Sequence, residues 1–287
     1  MGSAKVAITS PKRSSSCVAP PANRRYRPAS VSAIDFTAHN IRLDDGTLTK
    51  PELGADMSAA PWFLSAQRVL TLAFPGDKRN ASLLDLGCLE GGYTVEFARM
   101  GFRATGLEVR ASSVAACRYV QSRVHLPQLT FVQDDAWNAP KHGRFDAVFC
   151  CGLLYHIDRP RAFIAMLSQV AQRVLILQTH FASEQDGNKF HLSPMCEHEN
   201  AAGRWYTEFA TTPDHAFKEA SRWASWDNTK SFWLTRGWLL QALAENGFDL
   251  VFEQFDSLAP AIVDSMNAGY YHHEHRGTFV GIRTGAR

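Results

Sequence analysis
Three observations make a doubly wound α/β fold the prediction for this sequence: an open, largely parallel sheet with helices on both faces. A short apolar run at 83–86 (LLDL) passes into a small-residue loop at 87–92 (GCLEGG), and a helical pattern begins at Tyr93. A second run at 104–108 (ATGLE) ends in an acid. Strand-like runs at 129–133, 145–151 and 173–178 then alternate with helical stretches. Such alternation marks βαβ units, and strands covered on both faces read as short continuous apolar runs. Strand, glycine-rich turn and helix together bring backbone N–H groups and a helix N-terminus up to a nucleotide-like ligand.

The chain has 287 residues and 45% hydrophobic content, enough for one sizeable α/β core with an insertion and tails. Its formal net charge of +2 predicts no strong polyanion binding. The six cysteines include no C-x-x-C pair, and Cys150 and Cys151 are adjacent within an apolar run. That pattern suits a reduced, intracellular chain, expected in the cytoplasm. No apolar run approaches the ~20 residues of a membrane span, and the start lacks a secretory apolar core.

Residues 1–33 form a basic tail rich in Ser, Pro, Ala, Lys and Arg, with no acid before Asp35. This composition predicts disorder, with an organelle transit peptide as the alternative. Residues 34–78 form an N-terminal flap and helix: Asp45-Gly46 signals a turn, and 57–74 is helical up to Pro75-Gly76. Past the glycine loop, Glu108 closes the second strand about twenty residues on, where an acid can accept from both ribose hydroxyls. A helix over 112–124 is predicted, capped by Ser112 or Ser113. The third strand, 129–133, ends in Asp134, Asp135 and Ala136; the fourth, 145–151, leads into GLLYH at 152–156. Asp158 and Pro160 start a helix to 169, and the fifth strand ends at Thr179-His180. About fifty residues, 181–232, then intervene, and a loop of that length is rarely structureless. A helix at 239–246 and strands at 248–255 and 277–284 finish the domain, which is expected to cover 34–284.

Asp85, inside the first strand, suits the ammonium and sulfonium groups of S-adenosylmethionine better than a pyrophosphate. With Gly87, Cys88, Leu89 and Gly91 it resembles motif I of the class I S-adenosylmethionine-dependent methyltransferases, with Leu89 where the middle glycine is expected. The resemblance implies a Rossmann-like, seven-stranded class I sheet with an aromatic cap inserted after strand five at 181–232. It also implies S-adenosyl-L-methionine as cofactor, held by the motif I residues, Glu108, Asp134 or Asp135, Ala136 and Cys151. In that family an acid before Ala binds the adenine amino group; the register selects Asp135, with Asp134 the alternative. GLLYH and an H-N-I entry segment at His39-Asn40 are similar to a branch that includes tRNA wobble-uridine-modifying enzymes. On that likeness His39 sits near the cofactor mouth; otherwise its segment merely covers the sheet edge. Tyr155, Asn228 and Trp233 fall in blocks similar to the same branch and are assigned to the substrate.

Methyl transfer from a sulfonium needs alignment and exclusion of water, plus a base when the acceptor is a hydroxyl or amine. A thioether acceptor, such as methionine, needs no base, only aromatic faces. His180 is the leading candidate to face the acceptor, with His191, Trp205 and Tyr206 next. His156 either orients cofactor or substrate, or caps the following helix. His191, Cys196, His198 and Glu199, and separately His272, His273 and His275, lack zinc-site or H-E-x-x-H spacing, so no metal is expected. The expected activity is methylation of a small metabolite, with no membrane or nucleic-acid partner; a homo-oligomer stays open. A tRNA-modifying enzyme and a non-catalytic cofactor-binding protein are the alternatives.

Overall fold
The computed structural model describes residues 34–184, 190–255 and 275–285. The tail at 1–33 and His272 and His273 lie outside these residues. Ten described strands form two sheets. The larger contains β1 (Ser82–Leu86), β2 (Arg103–Glu108), β3 (Leu129–Gln133), β4 (Phe145–Cys151), β5 (Ala171–His180), β9 (Leu250–Gln254) and β10 (Arg276–Ile282). Their order is β3-β2-β1-β4-β5-β10-β9, with β1 to β5 parallel and β10 antiparallel to both neighbours. The chain reverses its direction of winding between β1 and β4. Open α/β sheets bind ligands beyond the strand ends at such a switch.

Two apolar layers sandwich the sheet because successive side chains alternate faces. Leu83 packs with Phe97, Phe102, Phe149 and Ile176 beneath α1 (Pro61–Ala73), α2 (Gly92–Arg99) and α3 (Ala111–Gln121). Leu84, Leu86, Val148, Leu175 and Leu177 face α4 (Pro160–Val170) and α6 (Arg236–Glu245). The same alternation puts Asp85 on the α2 side, fully buried, where it accepts from Thr94 Oγ1 at 2.6 Å.

The inserted segment folds into the antiparallel sheet β6 (Cys196–His198), β7 (Ala201–Thr207) and β8 (Lys230–Leu234), with the short helix α5 (His215–Ala220). It grips the main domain through two carboxylates. The β6–β7 turn places Glu199 and Asn200 at φ +53° and +55°. Left-handed backbone costs about 1–2 kcal/mol at such a residue. Glu199 offsets this by accepting from the N–H groups of Arg161 and Ala162 at the start of α4. Glu219, at the end of α5, does the same for Ala111 and Ser112 of α3. The cap expected of Ser112 or Ser113 is therefore replaced: Ser112 Oγ donates to Glu219, and Ser113 Oγ is buried without a partner.

The helix after the fourth strand starts at Pro160, and Glu199 rather than Asp158 takes its first free N–H groups. Other boundaries shift by a few residues, the largest being the start of α1 at Pro61 rather than Met57, where a separate 3-10 turn covers Met57–Ala59. No described helix is long and apolar enough to cross a membrane.

Candidate active site
A cavity of about 550 Å³ lies over the carboxyl ends of β1, β2 and β4, at the switch point. The glycine loop forms its floor. Gly87 and Cys88 donate their N–H groups to the Leu107 carbonyl at 2.8 and 3.1 Å, tying the loop to β2. Leu89 keeps the left-handed conformation of the glycine it replaces, with φ +50°, and its N–H donates to Glu108 Oε2 at 3.0 Å. The Leu89 side chain itself lines the cavity. At Gly91 (φ +82°) a Cβ would come within 2.6 Å of the Phe131 ring, so only glycine fits under that turn. Gly87 and Leu89 line the cavity; Cys88 is buried beneath them, and neither it nor Gly91 reaches the wall.

Two residues without an assigned role in the sequence reading fix the entry segment on this loop. Glu90 is fully buried and accepts from the N–H groups of Thr37, Ala38 and His39 and from Thr37 Oγ1. Burial alone would raise its pKa, but these bonds hold it below the ordinary carboxylate value. Arg222 of the cap adds a contact at 3.4 Å. His39 Nδ1 accepts the Gly92 N–H at 3.0 Å, capping α2. Burial pushes the His39 pKa down to about 4, so the ring is neutral and Nε2–H is left for whatever occupies the cavity it lines.

One end of the cavity has the makings of a nucleoside site. Glu108 is buried there, accepting from the N–H groups of Leu89 and Arg110 and keeping one lone pair on each oxygen. Asp134 and Asp135 both line the wall. Asp134 is occupied by Asn138, His142 and the Asp135 N–H, whereas Asp135 makes one bond, from Trp137 N at 2.8 Å. Ala136, Trp137 and Leu153 add an apolar slot, closed from the cap by Trp223 and Trp226. Arg110 holds that closure by donating to the carbonyls of Lys218, Ser221 and Ala224. Asn228 lines this end too, but its amide is engaged with Ser225 Oγ and the Lys230 carbonyl.

The other end is walled by Trp62, Tyr93, Cys151, Tyr155, His156 and Arg276. Burial pushes the Cys151 thiol up to about 12, which keeps it protonated, and it donates to Gln178 Oε1. His156 is held from the cap: its Nδ1 lies 2.8 Å from Glu208 Oε1. Glu208 also accepts from Ser231 Oγ at 2.7 Å and Ser225 N at 3.1 Å. Burial opposes ionisation of Glu208, but its bond to His156, then that ring's charge and the Ser231 and Ser225 bonds, bring its pKa below the ordinary value. A carboxylate at Nδ1 fixes the proton on that nitrogen, leaving the Nε2 lone pair at the cavity.

His180, Tyr206 and Trp233 are not on this wall. They form a stack behind Tyr155, with His180 and Trp233 at 5.0 Å and 11° and Tyr206 and Trp233 at 5.4 Å and 26°. The Trp233 indole N–H donates to the Tyr155 carbonyl at 2.8 Å, so the stack supports the residue that does face the cavity. Trp205 packs with His198 and Phe232, and His191 is exposed away from the cavity. Asp85, expected at the cofactor, is not among the cavity-lining residues; the pleat of β1 turns it toward α2, where it accepts from Thr94 Oγ1. Among the described residues no group of three or more His, Cys, Asp or Glu side chains could hold a metal ion.

Residues 62–253, about two thirds of the chain, match the methyltransferase domain family. The chain belongs to the class I S-adenosylmethionine-dependent methyltransferases. The N-terminal domain of EvdMO1, solved in the presence of S-adenosylhomocysteine and D-fucose, shares the fold of this methyltransferase with a TM-score of 0.57 and 24% identity. That match covers 78% of this chain and 83% of the other. A second structure of the same domain with S-adenosylhomocysteine bound also gives 0.57, at 23% identity over 82% and 84% of the two chains. Norajmaline N-methyltransferase of Rauvolfia serpentina is 28% identical over 136 residues, 46% of each chain. The methyltransferase thus spans about half the length of the curated relative it matches.

The walls fit the cofactor: a strand-end acid with free lone pairs, an apolar slot beside Asp135 and an unpartnered imidazole N–H at His39. Glu108→Ala should therefore weaken S-adenosylhomocysteine binding by roughly ten- to a hundredfold, the effect of losing about 1.5–3 kcal/mol of charge-assisted hydrogen bonding. Calorimetry checks this, and an unchanged dissociation constant would show that Glu108 does not hold the ribose.

Proposed function
We propose that this methyltransferase methylates a hydroxyl or amine of a small molecule, with His156 as general base and Glu208 as the group that orients it. The observation that carries this reading is the 2.8 Å contact between His156 Nδ1 and Glu208 Oε1, with Nε2 unpartnered at the cavity. S-adenosylmethionine supplies an electrophilic methyl carbon on a sulfonium. With the cofactor bound, His156 Nε2 would take the proton of the acceptor hydroxyl or amine as that group displaces S-adenosylhomocysteine from the methyl carbon. Glu208 then neutralises the imidazolium across the same hydrogen bond. Glu108 and Asp135 are the proposed ribose and adenine contacts. The Leu89 loop and Tyr155 align the partners, while Trp223, Trp226 and Arg110 exclude water.

A thioether acceptor loses no proton and has no use for this dyad. The cavity also favours a small acceptor, because cofactor and acceptor must share about 550 Å³. The test is transfer of labelled methyl from S-adenosylmethionine to a pool of small phenols, amines and thioethers, with bulk tRNA assayed in parallel. Label is expected on oxygen or nitrogen of a small molecule. Transfer only to tRNA, or only to thioether sulfur, would refute the reading.

A further inference from the structure
Arg276 lines the far end of the cavity, and neither the proposed nucleoside contacts nor the proposed base uses it. Its guanidinium carbon lies 5.5 Å from the Trp62 ring centroid and 5.7 Å from that of Tyr155, so cation–π contacts hold it. One Nη donates to Gln178 Oε1 at 2.7 Å, and its Nε is buried without a hydrogen bond. Among the described residues it has no carboxylate partner. The acids on the cavity wall are committed elsewhere: Asp56 to Arg42, Asp227 to Lys218, and Glu108, Asp134 and Asp135 to the nucleoside end. Buried Gln178 adds a second orphan donor beside the guanidinium, its Nε2.

A half-buried cation with an orphan N–H and no counter-charge is costly unless a ligand completes it. Guanidinium donors form a fork that matches a carboxylate. The position of this fork matters as much as its charge. Tyr155 touches both Arg276 and His156, with its ring 4.3 Å from the imidazole centroid, so base and cation flank one tyrosine side chain. The wall between them is aromatic, from Trp62, Tyr93 and Tyr155.

We propose that the Arg276 end is a carboxylate subsite and that the methyl acceptor is a small ring-bearing carboxylic acid. Arg276 takes its carboxylate while the group to be methylated is presented to His156. The inference rests on the proposed methyl transfer for the second half of that statement, but the anion site is measurable without turnover. The other source of a carboxylate in this cavity is the amino-acid tail of the cofactor, and the experiment separates the two.

Benzoate and its neutral analogue benzamide are titrated by calorimetry into wild-type protein saturated with S-adenosylhomocysteine, and into Arg276→Gln and Arg276→Lys. Wild type should prefer benzoate at least tenfold, Arg276→Gln should lose the preference, and Arg276→Lys should keep part of it. S-adenosylhomocysteine and 5′-methylthioadenosine, which lacks the amino-acid tail, are titrated into wild type and Arg276→Gln. Unchanged 5′-methylthioadenosine affinity shows the variant is folded, and unchanged S-adenosylhomocysteine affinity assigns the subsite to the acceptor. A selective loss of S-adenosylhomocysteine affinity would assign Arg276 to the cofactor and overturn the proposal. So would equal binding of benzoate and benzamide, or no benzoate binding to wild type. Neither result would touch the role of His156, which is read in turnover.

Discussion

His156→Ala is expected to lower turnover by about 10²–10⁴ while leaving S-adenosylhomocysteine affinity within about twofold, because it removes proton transfer and leaves the nucleoside contacts. Glu208→Gln should approach the same loss. A glutamine can offer an N–H to Nδ1, which would move the ring proton to Nε2 and present the acceptor with a donor instead of a lone pair. His180→Ala is expected to cost less than about tenfold, acting through the support that the Trp233 stack gives Tyr155. A severe His180→Ala effect with a mild His156→Ala effect would reverse the two assignments. These outcomes are read from steady-state rates with a fixed acceptor.

The choice between these two histidines illustrates what the sequence could and could not convey. His156 follows β4, whose carboxyl end faces the cavity, and His180 closes the neighbouring β5, so topology alone placed both near the acceptor. What separates them is Trp233, which stacks on His180, and Glu208, which holds His156 from 52 residues away. Neither partner has a local signature. The same holds for Glu90, whose clamp on residues 37–39 spans more than fifty positions, and for Arg276, which no motif surrounds. The place of Glu108 at a strand end on the cavity wall was legible because an acid at a set distance from the glycine loop is a local pattern, and β1 to β5 were legible as short apolar runs. The aromatic and histidine residues that the sequence brought to the acceptor from the cap and its edge, Trp205, Tyr206, Trp233 and His191, follow compositional or block-level signals. Aromatic residues in an insertion have to pack their own small sheet before any can face a ligand, and here packing takes three of these four. Asp85 could have been placed better from the sequence, since the period of two puts it on the face of Leu83, against α2.

Asp85→Asn is expected to stabilise the fold at pH 8 by on the order of 2–4 kcal/mol. Burial raises the Asp85 pKa from 3.8 to about 7, against a smaller opposing effect of the Thr94 hydrogen bond. Between those values the folded chain holds a proton that the unfolded chain releases, so stability falls as pH rises through the window. Asparagine keeps an oxygen to accept from Thr94 and has no proton to lose. The gain should be largest above pH 7 and shrink as pH falls toward 4. His39 contributes with the opposite sign. Its folded pKa of about 4 lies below the unfolded 6.5, so its contribution is lost as pH falls through that range. Comparing variant with wild type at each pH isolates Asp85 from this background. Denaturant midpoints at pH 8 and pH 5 are the measurement, and a variant less stable than wild type at pH 8 would mean that the buried charge is stabilising. Because Asp85 stands off the cavity wall, affinities for S-adenosylmethionine and S-adenosylhomocysteine should move together in this variant.

The most direct test of the central claim is a crystal structure of the protein with S-adenosylhomocysteine. The ribose hydroxyls should lie on Glu108, the adenine in the slot of Asp135, Ala136, Trp137 and Leu153, and the sulfur should open toward the side of the cavity that holds His156 and Tyr155. Room should remain between sulfur and Nε2 for one acceptor atom and its methyl group. A sulfur turned away from His156, or walled off from it by protein side chains, would contradict the account.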